Sequence, residues 1–364
     1  MSVVLIRADG SHHIGFGHIM RCIALAEGLR DLGFTPLFIV QDYGQVASDK
    51  IRGRNFRVEG FPKKWTSDQD IEYTLKRVEH YRARHVVTDL YHPDILQEPG
   101  FHRSYVERLR RSGVFLMTIV DFNEGMSPAD VVLNPNYGAD AILPAAHAGA
   151  SYLLGEKYFP FRSEFIASSS RAREIRPKAN RILITMGGCD MLGLTGKVIQ
   201  ALARLDMDPP LELYIVLGLT DRSQRELSHA LAQFSHPPVT LVDPDNMHEL
   251  MLGCDLAITA GGLTKYETAV TGTPSVVLSQ ARHQTEIMER FSNAGTTVHL
   301  GYGPEVREDA IAEVVGALLK DYFRRKEMSL AGKRLVDGKG LERILETFQE
   351  LVFQAGLASS ALKT

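Results

Sequence analysis

The sequence predicts an α/β protein made of two doubly wound, mostly parallel-sheet domains. Three observations carry that prediction. Apolar runs of strand length alternate with segments of helical period along most of the chain. Each half opens with such a run followed directly by a glycine-containing turn. The 364 residues also exceed one ordinary core, since domains usually run ~100 to 200 residues.

The first half begins with the apolar run Val3 to Ile6 and a glycine-rich turn. In "HIMRCIALAEGLRDLG" that follows, Ile19, Cys22, Ile23, Ala26 and Leu29 recur at helical spacing. Gly33 ends the predicted helix and "TPLFIV" supplies the next strand, completing a βαβ unit. Then "HVVTDL" reads as a buried strand, "FHRSYVERLRRSG" as a polar-faced helix, and "VFLMTIVD" and "DVVLNP" as two more strands. Strand ends fall at or near Asp89, Asp121 and Asn134, and open parallel sheets bind ligands outside the carboxyl ends of their strands. Between Phe159 and Asn180 the pattern breaks in "SSSRAREIRPKA", which reads as an interdomain linker. The alternation resumes with "RILITMGGCD", "LELYIVLG", "VTLVD", "LAITAGG" and "PSVVLS", with helices such as "DNMHELMLGC" between them. The expected boundaries are a first domain over 1–165, a second over 178–340, and an amphipathic helix and tail over 341–364. That last helix either packs at the end or crosses back to the first domain.

Composition narrows the class of partner. A net charge of −3 supplies no general attraction to nucleic acid or to an anionic membrane, and no apolar run approaches the ~20 residues of a spanning helix. The start "MSVVLIRADG" reads as a strand and not a signal peptide, so a cytoplasmic enzyme or binding protein is expected. The basic groups Arg52, Arg54 and Arg57, and Arg171, Arg173 and Arg176, read as solvated surface. Cys22, Cys189 and Cys254 lack paired spacing and read as small thiols, not as a disulfide framework or a zinc site.

The chemistry-bearing segments sit after strands. "GFGHIMR" lacks the third glycine of a dinucleotide turn, and no Walker-type loop is present. It remains a strand-to-helix turn whose backbone N–H groups favour an anion, with His18 on the first helical turn. Histidine titrates near neutrality, so His18 is a candidate base for an attacking water or hydroxyl, against the alternative of a capping or core histidine. His12 and His13 read as loop neighbours, because no third zinc ligand accompanies them at a fixed spacing. In the second half, "TAGGLTKYETAVTGTPSVV" runs from a strand through Gly261 and Gly262 into a helix beginning near Thr264. Glycines permit close backbone approach and the helix start directs N–H groups at one spot, a cradle for phosphates. Glu267, one turn into that helix, suits a ribose diol, or simply complements the helix dipole. "TMGGCD" is a second glycine turn, and the pair suggests a bound nucleotide diphosphate.

Taken in order, "RADGSHHIGFGHIMRCIALAEGL", "YLLGEKYFPFRSEF", "ITMGGCD", "AGGLTKYETAVTGTPSVVL" and "HQTEI" resemble the UDP-sugar hydrolases of the pseudaminic-acid pathway and the related spore-coat polysaccharide glycosyltransferase-like proteins. The resemblance implies the GT-B fold: two Rossmann-like doubly wound parallel-sheet domains facing across a cleft. It implies an enzyme in nonulosonic acid or surface polysaccharide biosynthesis that releases UDP from a UDP-linked 2,4-diacetamido-2,4,6-trideoxy hexose by attack of water at the anomeric carbon. Neither metal nor cofactor is implied, and the partner is a small-molecule nucleotide sugar.

By the same resemblance His18 is the base, Gly15 and Gly17 shape its turn, and Arg21 completes the block. Asp89 and Tyr91 match a block near the sugar. Gly261, Gly262 and Thr264 match the phosphate site, Glu267 the ribose site, Gly187 and Gly188 the other glycine turn, and Gln284 a polar cleft residue. The chain departs from the family pattern at Leu263, where a small hydroxyl residue is common, at Lys265, and at Arg282 and His283 before the glutamine. A GT-B glycosyltransferase using a UDP- or CMP-linked donor is the second reading, and a non-catalytic nucleotide-sugar binding protein the third.

Overall fold

The computed structural model describes residues 2–11, 14–42, 45–62, 66–90, 101–121, 127–142, 149–218, 227 and 231–361. The chain divides into two compact units, one of residues 1–163 with 338–364 and the other of residues 164–337.

The first unit carries a seven-stranded parallel sheet. Its strands are β1 (Val3–Ala8), β2 (Thr35–Asp42), β3 (Arg57–Pro62), β4 (His85–Asp89), β5 (Phe115–Ile119), β6 (Val131–Asn134) and β7 (Ser151–Leu154), in the spatial order β3-β2-β1-β4-β5-β6-β7. β1 is central: Leu5 lies opposite Leu37 on β2, and Ile6 opposite Val87 on β4. Burial on both faces explains why these strands read as continuous apolar runs and not as alternating ones. The helices are α1 (Gly17–Asp31), α2 (Val46–Gly53), α3 (Ser67–His80) and α4 (Phe101–Arg111). A capping box at Thr66 and Gln69 starts α3.

The second unit repeats the plan with six parallel strands. After α5 (Ser163–Ser169) come β8 (Arg181–Thr185), α6 (Leu194–Leu202), β9 (Glu212–Leu217), β10 (Val239–Val242), α7 (Met247–Gly253), β11 (Leu256–Ala260), α8 (Thr264–Thr271), β12 (Ser275–Ser279), α9 (Arg282–Asn293), β13 (Thr297–Tyr302), α10 (Glu308–Lys320) and α11 (Tyr322–Leu335). The sheet order is β10-β9-β8-β11-β12-β13. In both sheets the order reverses beside the opening strand, between β1 and β4 and between β8 and β11. Ligand crevices of doubly wound sheets open at these points.

The fold decides two segments that the sequence left open or read differently. The final helix α12 (Gly340–Ala361) crosses back to the first unit, one of the two arrangements the sequence allowed. Its start lies against Phe159, where a Cβ on Gly340 would come within 2.2 Å of the Phe159 carbonyl oxygen. It crosses α1 at Gly28, where a Cβ would meet Leu345 at 2.5 Å, and Phe348 packs edge-on against Phe34 and Phe115. The stretch expected to be a linker is fastened to the second unit. Arg173 donates to the Met251 carbonyl at 2.8 Å and to Thr273 Oγ1 at 3.0 Å, and Arg176 pairs with Asp255 at 2.7 Å. Fully buried Arg325 donates to the Arg176 carbonyl at 2.7 Å. Arg173 and Arg176, which composition assigned to solvated surface, supply donors to carbonyls that the end of α7 leaves without helical partners.

Candidate functional site

At the β1/β4 reversal, sequence spacing and strand order build a charge cluster. His18 and Arg21 lie three apart on α1, hence on one face, and both reach the end of β4. His18 Nδ1 lies 2.8 Å from Asp89 Oδ1. Arg21 clamps the same carboxylate with Nε to Oδ2 at 2.6 Å and a terminal nitrogen to Oδ1 at 2.7 Å. It also spans to Asp121, just past β5, at 2.7 and 3.0 Å. Asn136 donates to Asp121 Oδ1 at 3.1 Å, and Cys22 offers its thiol to Asp89 Oδ2 at 3.5 Å.

This network selects the histidine tautomer. Two acceptors cannot face each other at 2.8 Å, so the proton is on Nδ1 and donates to Asp89. Arg21 also approaches Nδ1, at 3.0 Å, but each hydrogen of that guanidinium nitrogen already has a carboxylate oxygen. The lone pair of a neutral His18 is therefore on Nε2, which lies 3.8 Å from Asp121 Oδ2. Burial opposes ionisation of Asp89 and Asp121, and Arg21 with His18 outweighs it, holding both carboxyls below their ordinary range. Burial likewise pulls against the Arg21 charge, and Asp121 and Asp89 raise its pKa well above the usual value. Burial and the Asp89 charge push the Cys22 thiol far above neutrality, so Cys22 is inert as a nucleophile. One guanidinium facing two carboxylates leaves a net negative charge when His18 is neutral. This end of the sheet therefore disfavours the anion that its helix terminus alone suggested.

The turn itself depends on glycine at two places. Gly15 has φ +78°, and the Ser11 N–H donates to its carbonyl at 3.1 Å. Gly10 allows α1 to close on β1, since a Cβ there would stand 2.6 Å from Ile19. Gly17 is already the first residue of α1. Behind the turn, buried Arg7 joins Asp9 at 2.6 Å and Asp70 at 2.6 Å, and Asp9 accepts from the Gln41 N–H at 3.0 Å, tying β1 to β2.

At the β8/β11 reversal the construction is different. Gly187 and Gly188 follow β8, Gly187 with φ +81°, and a Cβ on Gly218 would stand 2.2 Å from the Gly188 carbonyl oxygen. Gln280, at the end of β12, donates to the carbonyls of Met186 and Cys189 at 2.7 and 3.2 Å. Gly261 follows β11 in a tight place: a Cβ would meet Met288 at 3.0 Å and Gln284 Oε1 at 3.3 Å. Beside Gly262 a Cβ would meet nothing within 4 Å. Gln284 accepts from the Gln280 N–H at 3.2 Å, so its carbonyl braces the turn.

The two nearby helix starts are not equivalent. Asp190 accepts from the Leu194 and Thr195 N–H groups at 2.9 and 2.7 Å, occupying the start of α6 with a carboxylate. The start of α8, with Leu263 as N-cap and Thr264 first, has no side-chain cap, and Glu267 stands in its first turn. Lys265 is 3% exposed, and its ammonium turns back to the Gly262 carbonyl at 3.2 Å. Arg282 is exposed and pairs with Glu305, so its charge is committed at the surface.

Of the residues singled out in the sequence, His18, Arg21 and Asp89 are bonded to one another, and Gly261 adjoins Gln284. Gly187 and Gly188 follow the strand beside the one that Gly261 and Gly262 follow, with Thr264 and Glu267 on the next helix. Tyr91, His12 and His13 lie outside the described residues. Asp121, Asn136, Asp190 and Gln280 were not selected as site residues. Asp121 had a readable signal, since it stands at a strand's carboxyl end. Among the described residues no cluster of three His, Cys, Asp or Glu side chains is placed to hold a metal ion, and no helix is long and apolar enough to cross a membrane.

The structure of MurG from Acinetobacter baumannii matches with a TM-score of 0.66 at 14% identity, covering 96% of this chain and all of that one. The fold is GT-B. In sequence, the chain is similar to the spore coat polysaccharide biosynthesis protein SpsG of Bacillus subtilis, with 26% identity over 355 residues, 96% of this chain and 98% of that protein. It is also similar, at 26% over 202 residues, to the pseudaminic acid cytidylyltransferase and UDP-2,4-diacetamido-2,4,6-trideoxy-beta-L-altropyranose hydrolase of Helicobacter pylori. That match spans 55% of this chain and 33% of the Helicobacter protein. No protein-family model matches the chain.

Proposed function

We propose that this GT-B chain is a nucleotide-sugar enzyme of surface polysaccharide or nonulosonic acid biosynthesis. In this reading the first unit supplies His18 as general base and the second binds a nucleoside diphosphate. The leading reaction is hydrolysis: His18 removes a proton from water, which attacks the anomeric carbon of a UDP-linked 2,4-diacetamido-2,4,6-trideoxy hexose and releases UDP. The observation that carries the reading is the 2.8 Å contact of His18 Nδ1 with Asp89, which puts the proton on Nδ1 and the lone pair on Nε2. Asp89 orients the ring and stabilises the imidazolium that forms, in the manner of the third member of a catalytic triad.

Gly261, Gly262 and Thr264 suit the diphosphate, because the start of α8 has no side-chain cap and its N–H groups favour an anion. Glu267 suits the ribose diol. Gly187 and Gly188 shape the neighbouring turn, which Gln280 braces, and Gln284 stands beside Gly261 as a polar residue for the substrate. The similarity to SpsG along nearly the whole chain, and a GT-B fold shared with MurG, favour glycosyl transfer to a hydroxyl acceptor as the second reading.

Purified protein incubated with UDP-2,4-diacetamido-2,4,6-trideoxy-β-L-altropyranose and with UDP-N-acetylglucosamine tests both. UDP released without an acceptor supports hydrolysis, and release only when an acceptor is added supports transfer. Tight binding of both donors without turnover, with or without acceptor, would leave a binding protein and sink the catalytic reading.

A further inference from the structure

We infer that Asp121 is a second hydrogen-bond acceptor for the nucleophile, and that His18 Nε2 and Asp121 Oδ2 together are built to hold water in preference to a sugar hydroxyl. The inference rests on the reading of His18 as base and names what that base acts on.

The two acceptor atoms are 3.8 Å apart. That is too long for a hydrogen bond between them, and it allows one oxygen to stand at ordinary hydrogen-bond length, ~2.7–3.0 Å, from both. Nε2 carries the lone pair because Nδ1 donates to Asp89. Among the described residues Asp121 Oδ1 receives Arg21 and Asn136, whereas Oδ2 receives Arg21 at 3.0 Å, and a carboxylate oxygen accepts two donors. The same contacts lock the carboxylate's orientation. Exposure separates the two aspartates: the Asp89 side chain is 1% accessible and that of Asp121 24%. Asp89 is placed to orient the imidazole from behind, and Asp121 to meet a small molecule on the Nε2 side.

Water has two O–H donors and matches two acceptors. A sugar hydroxyl has one, so binding it here leaves either Nε2 or the second acceptor position of Oδ2 unfilled, which is unfavourable for an acceptor withdrawn from water. With both water protons held, the oxygen's lone pair is free to attack. The O–C1 bond forms as the C1–O bond to the β-phosphate breaks, its electron pair leaving with UDP. One water proton passes to Nε2, and the other stays on the new C1 hydroxyl, hydrogen-bonded to Asp121.

The test uses the whole chain and Asp121→Asn, which keeps the side chain's shape while replacing the acceptor charge. Each is given UDP-2,4-diacetamido-2,4,6-trideoxy-β-L-altropyranose in buffer with methanol as a competing one-donor nucleophile. The native chain is expected to form free sugar with little methyl glycoside. Asp121→Asn should lower kcat ~10²-fold with KM little changed, and should raise the ratio of methyl glycoside to free sugar. A residue that only supports the fold would not move that ratio. An unchanged ratio overturns the role of Asp121 while leaving His18 as base, provided His18→Ala still lowers release ~10²-fold. If the native chain releases UDP only with a sugar acceptor, both the water assignment and the hydrolase reading fall. A crystal structure of the native protein with UDP at atomic resolution is an independent measure. An ordered water bonded to both Nε2 and Oδ2 supports the inference, and its absence overturns it.

Discussion

The carboxyl ends of β1 and β4 and those of β8 and β11 occupy the same topological position in two sheets of one plan, yet they are finished in opposite ways. The first is closed by side chains: one guanidinium, two carboxylates and an imidazole within hydrogen-bond reach. The second is finished by backbone: glycine turns braced by Gln280 and Gln284, one helix start filled by Asp190 and another without a side-chain cap. Equivalent strand order thus provides a place, and the residues after each strand decide whether charged side chains or backbone line it.

The comparison is broken most strongly at Arg21. Arg21→Leu strands the buried Asp89 carboxylate and the partly exposed one of Asp121, and should cost about 3–5 kcal/mol in urea unfolding, partly recovered by adding Asp89→Asn. A loss below ~1 kcal/mol would mean that the cluster is not held by this charge balance.

His102 should show next, through pH. Burial beside Thr118 lowers its pKa from 6.5 to about 4, with Asp89 opposing. Between those values the unfolded chain binds the extra proton, so stability is whole above pH ~6.5 and falls as pH drops toward ~4, by roughly 3 kcal/mol in all. Below that, the depressed carboxyls of Asp89 and Asp121 continue the loss as they protonate. Denaturant midpoints across this range should flatten above pH 4 in His102→Gln; an unchanged slope would reassign it.

At the same end of the first sheet, His18→Ala should lower turnover by ~10² without comparable loss of nucleotide affinity. Unchanged turnover removes His18 from the mechanism. At the second sheet the effects should be smaller and fall on binding. Glu267→Ala is expected to weaken UDP affinity about tenfold, near 1.4 kcal/mol, in calorimetric titration. Equal affinity would exclude the ribose role. Smallest of all, Asp190→Ala should cost about 1 kcal/mol as a lost helix cap. A larger effect on UDP binding than on unfolding would show that Asp190 shapes the nucleotide site and not only α6.

How much of this was legible depends on distance along the chain. The spacing of His18 and Arg21 on one helical face is a local fact, as are the glycine turns that precede α1 and α8. Their partners are not local: Asp89 is 71 residues from His18, and Asp121 is 100 from Arg21. Asp89 was selected and Asp121 only noted as a strand end, because a carboxylate there reads the same whether it binds ligand, arginine or solvent. Lys265 and Arg282 are departures from the family pattern whose surroundings the sequence does not show: the fold turns one onto the Gly262 carbonyl and the other onto Glu305. The sequence after α5 reads as a solvated linker because the carbonyls that Arg173 satisfies, on Met251 and Cys254, are far away in sequence.

By itself, then, the sequence determined the alternation of strands and helices, the two-domain plan and the two glycine-rich turns, since periodicity and backbone permissiveness act over a few neighbouring residues. The tertiary structure decided that α12 returns to the first unit, that Arg21 serves two carboxylates, and that Asp121 stands 3.8 Å from His18 Nε2. Those outcomes depend on strand order, which brings the ends of β1, β4 and β5 side by side and leaves no mark in any local stretch of the chain.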